Sequence, residues 1–277
     1  MKVDTRRRRL LGLSATGALA TLSGCSGATP FVGKRLEDAR TFDVDSVDSV
    51  TVLGQNGDVR VRTTDADRVR VGTVKKSGSV FADLDDVRVE MGVENGELTV
   101  EPHQTGNGSW LGGMPSVEIS VELPSGVGLG KLRSENGSVD VRGVESDATL
   151  VTENGRIDAH DIDGFVTAES ENGNVTIRDV SGVGDVRTEN GSIDVEFPAI
   201  RGQTTVESEN GNVTAAVAPD MNATLIATTD NGDLTVELPN FEAEIRNEHL
   251  VQGTLGDGGP ELRFVTENGS VGVSALR

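Results

Sequence analysis

The chain has 277 residues, with 45 acidic and 25 basic side chains and a formal net charge of −20 at pH 7. An electrostatic field of that sign repels phosphate backbones, which argues against nucleic acid as a partner. Aromatic residues make up 3% of the chain and glycine contributes 35 residues, so few large side chains are present to fill a thick core. The composition therefore favours stacked or sheet-only β-structure.

Lysine is scarce in this sequence, whereas arginine, aspartate and glutamate abound. Such a composition is typical of proteins from salt-loving archaea. A dense acidic surface repels itself in dilute buffer, and at molar salt, where the Debye length is about 3 Å, most of that repulsion is screened. We therefore expect a halophilic protein, with an ordinary acidic exported protein as the alternative.

Residues 1–24 have the pattern of an export signal. A run of four arginines is followed by a short apolar stretch from Leu10 to Leu22, which is too short for a stable membrane span. The string around Arg7 and Arg8 resembles a twin-arginine signal, with general secretion as the alternative. The sequence thus predicts an exported protein.

Residues 25–40 are predicted to hold a lipid-anchor site followed by a tether. Leu22-Ser23-Gly24-Cys25 resembles the lipobox of lipoproteins, in which the cysteine is acylated. Cys25 is the only cysteine, so it has no intramolecular disulfide partner. Acyl chains on Cys25 would hold the protein on the outer face of the cytoplasmic membrane, at the cell surface.

Residues 41–130 are predicted to form a lead-in region of irregular β-strands. A polar, glycine-rich excursion at 101–116 contains the single tryptophan and Asn107, the best candidate for N-glycosylation. A second excursion at 240–263 is predicted as an insertion before the last repeat. Either excursion could cover an exposed strand edge, including that of the final strand from Val271.

Residues 131–277 carry an internal repeat that sets the predicted fold. The string Glu-Asn-Gly recurs at 18-residue spacing, with looser copies before and after. Alternating apolar and polar residues follow each copy, as in a half-buried strand, and a second short run precedes the next copy. One unit is therefore two strands and two turns.

Two all-β folds are compatible with this unit. Asn-Gly favours tight turns because both residues tolerate positive φ, which would suit an antiparallel β-meander. We favour a right-handed parallel β-solenoid with coils of about 18 residues, because equivalent residues then become neighbours about 4.8 Å apart. The turn asparagines would form an amide ladder: Asn136, Asn154, Asn172, Asn190 and Asn210.

The same stacking would place a glutamate of each coil beside the glutamate of the next, from Glu135 to Glu209. Like charges at that spacing destabilise each other. Concentrated salt would screen the repulsion, and bound cations such as calcium could bridge the row. A solvated acidic face is the simpler interpretation.

No residue pattern in the sequence predicts catalysis or a cofactor. His103, His160 and His249 are far apart and lack metal-ligand spacing, and no G-x-S-x-G nucleophile motif occurs. Without a second cysteine, zinc-thiolate sites are excluded. Many carboxylates are present, but most occupy repeated outward or turn positions.

The segment 41–277 resembles the DUF4097 family, which is described as adhesin-like or β-strand-repeat surface proteins. The resemblance is carried by Phe42-Asp43-Val44, by Gln55-Asn56-Gly57-Asp58-Val59, by Val117 to Pro124, and by the Glu-Asn-Gly series. It implies a β-strand-repeat fold and a surface role, and it supplies no catalytic residues.

We therefore predict a non-catalytic, membrane-anchored cell-surface protein of adhesin-like or scaffold type. Its acidic solenoid face would contact envelope glycans or surface proteins. One alternative is a polysaccharide-active enzyme, which needs two repeat-breaking carboxylates in one groove. Another is an envelope stress- or ligand-sensing lipoprotein that binds a small ligand or a cationic peptide.

Overall fold

The computed structural model describes residues 33–79, 82–105 and 115–277. The predictions for Arg7, Arg8, Cys25 and Asn107 lie outside these residues. Apart from two 3₁₀ turns at Val44–Ser46 and Leu84–Asp86, the regular structure here is β-strand. The twenty-one strands, β1 to β21 in chain order, are Lys34–Asp43, Ser49–Asn56, Val59–Thr64, Arg68–Ser77, Val87–Glu94, Glu97–Gln104, Ser116–Pro124, Gly128–Asn136, Val139–Val144, Ala148–Asn154, Ile157–Asn172, Val175–Asn190, Ile193–Phe197, Thr204–Asn210, Val213–Val217, Ala223–Asn231, Leu234–Glu237, Phe241–Arg246, Leu250–Leu255, Glu261–Asn268 and Val271–Ala275.

The strands form two sets of hydrogen-bonded neighbours, which we call sheet I and sheet II. Sheet I contains, in spatial order, β5, β6, β2, β8, β10, the second halves of β11 and β12, β14, β20, β16, β19 and β18. Sheet II contains β1, β4, β7, β3, β9, the first halves of β11 and β12, β13, β15, β21 and β17.

Parallel pairing of residues 18 places apart, or 20 at the last of these coils, defines the middle coils, residues 128–217. Asn154 pairs with both Asn136 and Asn172, and Ile157 pairs with Val175. Each coil runs through a strand of sheet I, an Asn-Gly corner and a strand of sheet II. The predicted parallel β-solenoid is confirmed, and the antiparallel meander is wrong for these coils. The right-handed sense of the coil stays a prediction.

Both terminal coils lie inside the stack rather than at its ends. The first coil, β2 and β3, is flanked by β8 and β9 on one side and by β6 and β7 on the other. The last coil, β20 and β21, lies between β14–β15 and β16–β17. The predicted lead-in region therefore contains two coils of the stack.

Antiparallel strands cover both ends of sheet I and one end of sheet II, whose other end is the parallel strand β17. Two predictions need correction there: the extent of the tether and the exposed edge at the last strand. Residues 34–40, predicted as tether, belong to β1, because β1 is hydrogen-bonded along its length to β4. The predicted insertion 240–263 contains the hairpin β18–β19, and β19 pairs with β16. The final strand β21 is not an edge, because it pairs on both sides.

One continuous hydrophobic core lies between the sheets and consists mainly of valine, leucine, isoleucine and alanine. Alternate residues along each strand are buried, as in the BiB pattern that begins β9, β13 and β21. Phe197 and Phe264 are fully buried and make an edge-to-face contact with ring centroids 5.7 Å apart. Thin layers of small apolar residues thus replace a thick aromatic core.

The glycines of the middle Asn-Gly corners serve close stacking and not a left-handed backbone. Gly137, Gly155, Gly173 and Gly191 are not among the residues with positive φ, so the predicted reason for glycine is wrong there. A Cβ on Gly155 would overlap the carbonyl oxygen of Gly137, and the same overlap recurs one coil later. Positive φ occurs instead at the opposite corner, where three successive coils have 69°, 57° and 53° at Gly143, Asp161 and Asp179.

Candidate interaction surface

The turn asparagines form a continuous row of side-chain hydrogen bonds, which we call the asparagine ladder. Seven of the eight asparagines donate from Nδ2 to the Oδ1 of the asparagine on a neighbouring coil, at distances from 2.9 to 3.2 Å. The structure joins the five asparagines named from the sequence and adds three more. In spatial order the ladder is Asn56, Asn136, Asn154, Asn172, Asn190, Asn210, Asn268 and Asn231.

A buried row of hydroxyls supports each corner, and the sequence analysis missed it. Two residues before the ladder asparagine, a buried serine or threonine donates to the corner glycine carbonyl of a neighbouring coil, as Thr188 does to Gly173 O at 2.9 Å. The sequence contains a pattern that marks this row: Ser or Thr stands directly before seven of the Glu-Asn-Gly or Asp-Asn-Gly strings. These donors are Ser134, Thr152, Ser170, Thr188, Ser208, Thr229 and Thr266.

The predicted row of glutamates runs along the outer face of sheet I. Arginines that pair with some of these glutamates offset the repulsion between neighbouring carboxylates. Arg133 Nη2 lies 2.6 Å from Glu153 Oε1 on the adjacent strand. Arg187 reaches Glu207 at 3.5 Å and Glu209 at 3.8 Å. In the described part of the chain, no group of three or more His, Cys, Asp or Glu side chains is placed to hold a metal ion.

A polar groove of about 330 Å³ crosses the same face of sheet I, and we call it the Phe165 groove. Thr149, Thr167 and Gly184 lie on neighbouring strands and form its floor, where Gly184 leaves room above the sheet. The remaining lining includes both hydrogen-bond donors and acceptors, contributed by Asp147, Phe165, Asp185, Arg201 and Gln203.

Arg201 is fixed at the wall of this groove by two partners. Its guanidinium nitrogens lie 2.5 and 3.2 Å from the carboxylate oxygens of Asp147. Its Cζ lies 3.7 Å from the ring centroid of Phe165, in a cation–π contact. The hydrogen bond from Arg201, assisted by the backbone N–H of Phe165, holds the pKa of Asp147 below its usual range. Arg201, Asp147 and Phe165 thus contact one another along this wall.

Gly182 makes room for this arrangement. A Cβ at Gly182 would overlap the Phe165 ring, so only glycine lets the ring lie against that strand. The pairing of β11 with β12 also shifts register between Ile162 and Phe165. The groove thus depends on departures from the repeat, which periodicity does not reveal.

A second groove of about 380 Å³ lies on the outer face of sheet II, over Gly72 and Ser120. Glu122 at its rim is held by Arg62 at 2.5 Å and by Arg70 at 3.6 Å. The hydrogen bond and charge of Arg62, supported by Arg70, lower the pKa of Glu122. This groove lacks an aromatic side chain in its lining.

The three histidines are not brought together. His103 Nε2 lies 3.6 Å from the carboxylates of Glu90 and Glu101. His160 is stacked between two arginines of sheet II, Arg142 and Arg178, and the ring of His249 contacts the carbonyl of a threonine on β16. Each histidine therefore occupies a separate surface position.

Comparison with known proteins finds a family model that is similar to part of this chain. Residues 146–274 match the family model described as Toastrack DUF4097. The match confirms the resemblance inferred from the Glu-Asn-Gly series, and it contains the Phe165 groove.

Two solved structures are similar to the chain at low identity. One is a provisionally named cell adhesion protein from Clostridium sporogenes, with 9% identity and a TM-score of 0.36, covering 88% of this chain and 100% of its own. The other is a provisionally named adhesin from Bacteroides fragilis, with 13% identity and a TM-score of 0.37, covering 87% and 97%. No curated protein matches the chain. Among the residues described, no helix has the length and apolar character needed to cross a membrane.

Proposed function

We propose that this chain is a non-catalytic, lipid-anchored cell-surface protein of adhesin-like or scaffold type that holds neutral envelope glycans in the Phe165 groove. The observation that carries the proposal is the lining of that groove. Threonine hydroxyls, an amide, carboxylates and a fixed guanidinium offer paired donors and acceptors, and the volume is within the range of small-ligand sites. Because Asp147 neutralises Arg201, the groove favours an uncharged, polyhydroxylated partner over an anion.

The carboxylates of this groove are the repeat-breaking pair that an enzyme would need, and their surroundings favour binding instead. A glycosidase general acid requires a raised pKa. The pKa of Asp147 is lowered, and Asp185 Oδ1 accepts a hydrogen bond from Thr205 N at 2.8 Å. Both groups are arranged as fixed acceptors.

The binding test compares matched Thr→Val changes on the two faces. Thr149→Val with Thr167→Val removes two hydroxyls from the groove floor, while Thr176→Val with Thr214→Val makes the same change on the outer face of sheet II. With a neutral polysaccharide fraction of the cell envelope as probe, at high salt, we expect the groove variant to bind about tenfold more weakly and the control to match the unaltered chain.

Equal binding by both variants would contradict the groove as the site. Release of reducing sugar ends during incubation would favour the enzyme. Salt-sensitive binding of a cationic peptide without glycan binding would favour the sensing protein.

The anchoring part of the proposal rests on the sequence of the first 25 residues. Cys25→Ser should release the exported protein into the medium, because no acyl chain is then attached. Arg7→Lys with Arg8→Lys should retain the protein inside the cell if export uses the twin-arginine route. Membrane retention of the Cys25→Ser protein would contradict the lipid anchor.

A further inference from the structure

Asn-Gly dipeptides are chemically labile. The glycine backbone nitrogen attacks the asparagine Cγ, an N–Cγ bond forms, the Cγ–Nδ2 bond breaks, and ammonia leaves with the amide proton. Water then opens the cyclic imide to give aspartate or isoaspartate. The reaction needs no enzyme and no oxidant, so the fold alone decides which dipeptides survive.

Eight Asn-Gly dipeptides of the described residues lie in the asparagine ladder. In seven of them the leaving nitrogen, Nδ2, donates to the asparagine of a neighbouring coil, whereas Asn56, at the end of the ladder, accepts through its Oδ1. The attacking nitrogen is also engaged in several coils, because its N–H donates to an asparagine carbonyl of the adjacent coil at 2.8 to 3.2 Å. These donors are Gly57, Gly191, Gly211 and Gly269. At Asn190, Asn210 and Asn268 attack requires both hydrogen bonds to break, and at every other ladder dipeptide at least one of the two reacting nitrogens is hydrogen-bonded.

Asn95-Gly96 has a different environment. It forms the two-residue turn of the β5–β6 hairpin, between Glu94 and Glu97, with φ values of 51° and 84°. Asn95 is exposed and lies outside the ladder. The Gly96 carbonyl accepts hydrogen bonds from the N–H groups of Asp48 at 2.7 Å and Ser49 at 3.2 Å, so this turn contacts the start of the first coil.

We propose that Asn95 is a site of spontaneous deamidation and that the asparagine ladder protects the other eight dipeptides. Isoaspartate adds one methylene to the backbone of a two-residue turn, whose geometry tolerates little change. It also adds a carboxylate between Glu94 and Glu97. Because β6 pairs with β2, the reaction loosens the outer cover of the first coil.

The test follows deamidation by peptide mass spectrometry in the full chain at alkaline pH. We expect conversion at Asn95 to be at least about a hundredfold faster than at the ladder asparagines, which react only after local opening. The same chain unfolded in denaturant should convert Asn95 and the eight ladder asparagines at similar rates. Amide hydrogen exchange across residues 87–104 should rise as conversion proceeds.

A variant of the asparagine ladder distinguishes protection by the side-chain hydrogen bond from an effect of the neighbouring sequence on deamidation. Asn172→Ala removes the acceptor of Asn190 Nδ2 and should speed conversion at Asn190 while leaving the rate at Asn95 unchanged. Ladder asparagines that convert as fast as Asn95 in the folded chain would overturn the proposal. So would an unmodified Asn95 under conditions where the unfolded chain converts.

Discussion

The middle coils and the two ends of the stack use the same repeat in different orders. Between β8 and β15, each coil follows its neighbour both in the chain and in space. At the ends the two orders differ, because the first and last coils are each inserted between two others. The repeat therefore specifies how one coil stacks on another, but not which coil is its neighbour.

The strands at the ends of the stack are also more exposed to solvent than the strands of the middle coils. The edge strand β1 is exposed along nearly its whole length and carries charges of both signs, and β18 is similarly exposed and contains a register shift. Charged, irregular edges discourage pairing with another chain. Inserting the regular terminal coils inside the stack leaves β1 and β18 as outermost strands, while β17 is outermost at the other end of sheet II.

The largest expected effect comes from the close stacking of the middle corners. Gly173→Val places side-chain atoms on the Gly155 carbonyl, where backbone cannot move aside. We expect a loss of more than about 4 kcal/mol in the free energy of unfolding, measured with denaturant. Gly272→Ala is the control, since a Cβ there meets nothing within 4 Å. Equal stabilities of the two variants would show that the corners are not closely stacked.

A smaller loss of stability tests whether the last coil lies inside the stack or at its edge. Phe264→Ala removes a fully buried ring that contacts Phe197, and should cost about 3–5 kcal/mol in unfolding free energy. Ile245→Ala, at a side chain of β18 that is 42% exposed, should change stability by less than about 0.5 kcal/mol. Similar losses at both positions would argue against insertion of the last coil.

The buried hydroxyl row should contribute less per residue. Thr188→Val leaves the Gly173 carbonyl without its hydroxyl donor, at a cost of about 1–3 kcal/mol. Thr176→Val, at an outward position of sheet II, is the matched control. Thermal unfolding of the two variants checks the difference, and an unchanged midpoint for Thr188→Val would mean that the hydroxyl row is not stabilising.

The smallest effect is a pH dependence at Glu122. Its folded pKa is lowered by Arg62 and Arg70, so its contribution is present above the unfolded pKa of about 4.3 and is lost as pH falls through the folded value. Because both arginines are mostly exposed, we expect well under 1 kcal/mol. Glu122→Gln should flatten the acid side of the stability profile slightly, as measured by denaturant unfolding at a series of acid pH values. A steeper profile for Glu122→Gln would reverse the assigned sign.

Much of the coil could be predicted from the sequence because its signals are local. The alternation after each Asn-Gly and the recurrence of like residues give the strands, the parallel stacking and the position of the asparagines. The Asn-Gly at 95 is not a solenoid corner, since the same dipeptide forms a hairpin turn there. The residues next to an Asn-Gly dipeptide do not reveal whether it forms a solenoid corner or a hairpin turn.

The coil order and the groove could not be predicted in this way. Asn210, Asn231 and Asn268 have equivalent surroundings in the sequence, so nothing in the motif places the last coil between the other two. The groove depends on Gly182, Phe165 and Arg201, which are exceptions to the repeat and meet only in three dimensions. Long-range order is therefore fixed by packing across the whole stack.

Disulfide formation between paired cysteines tests the inserted last coil most directly. In a Cys25→Ser background, Thr214→Cys with Gly272→Cys joins register partners on β15 and β21, about 4.8 Å apart and within disulfide reach. Thr214→Cys with Thr235→Cys joins coils that are adjacent in the chain but separated by β21. We expect rapid oxidation of the first pair only. Rapid oxidation of the second pair without the first would show that the coils stack in chain order.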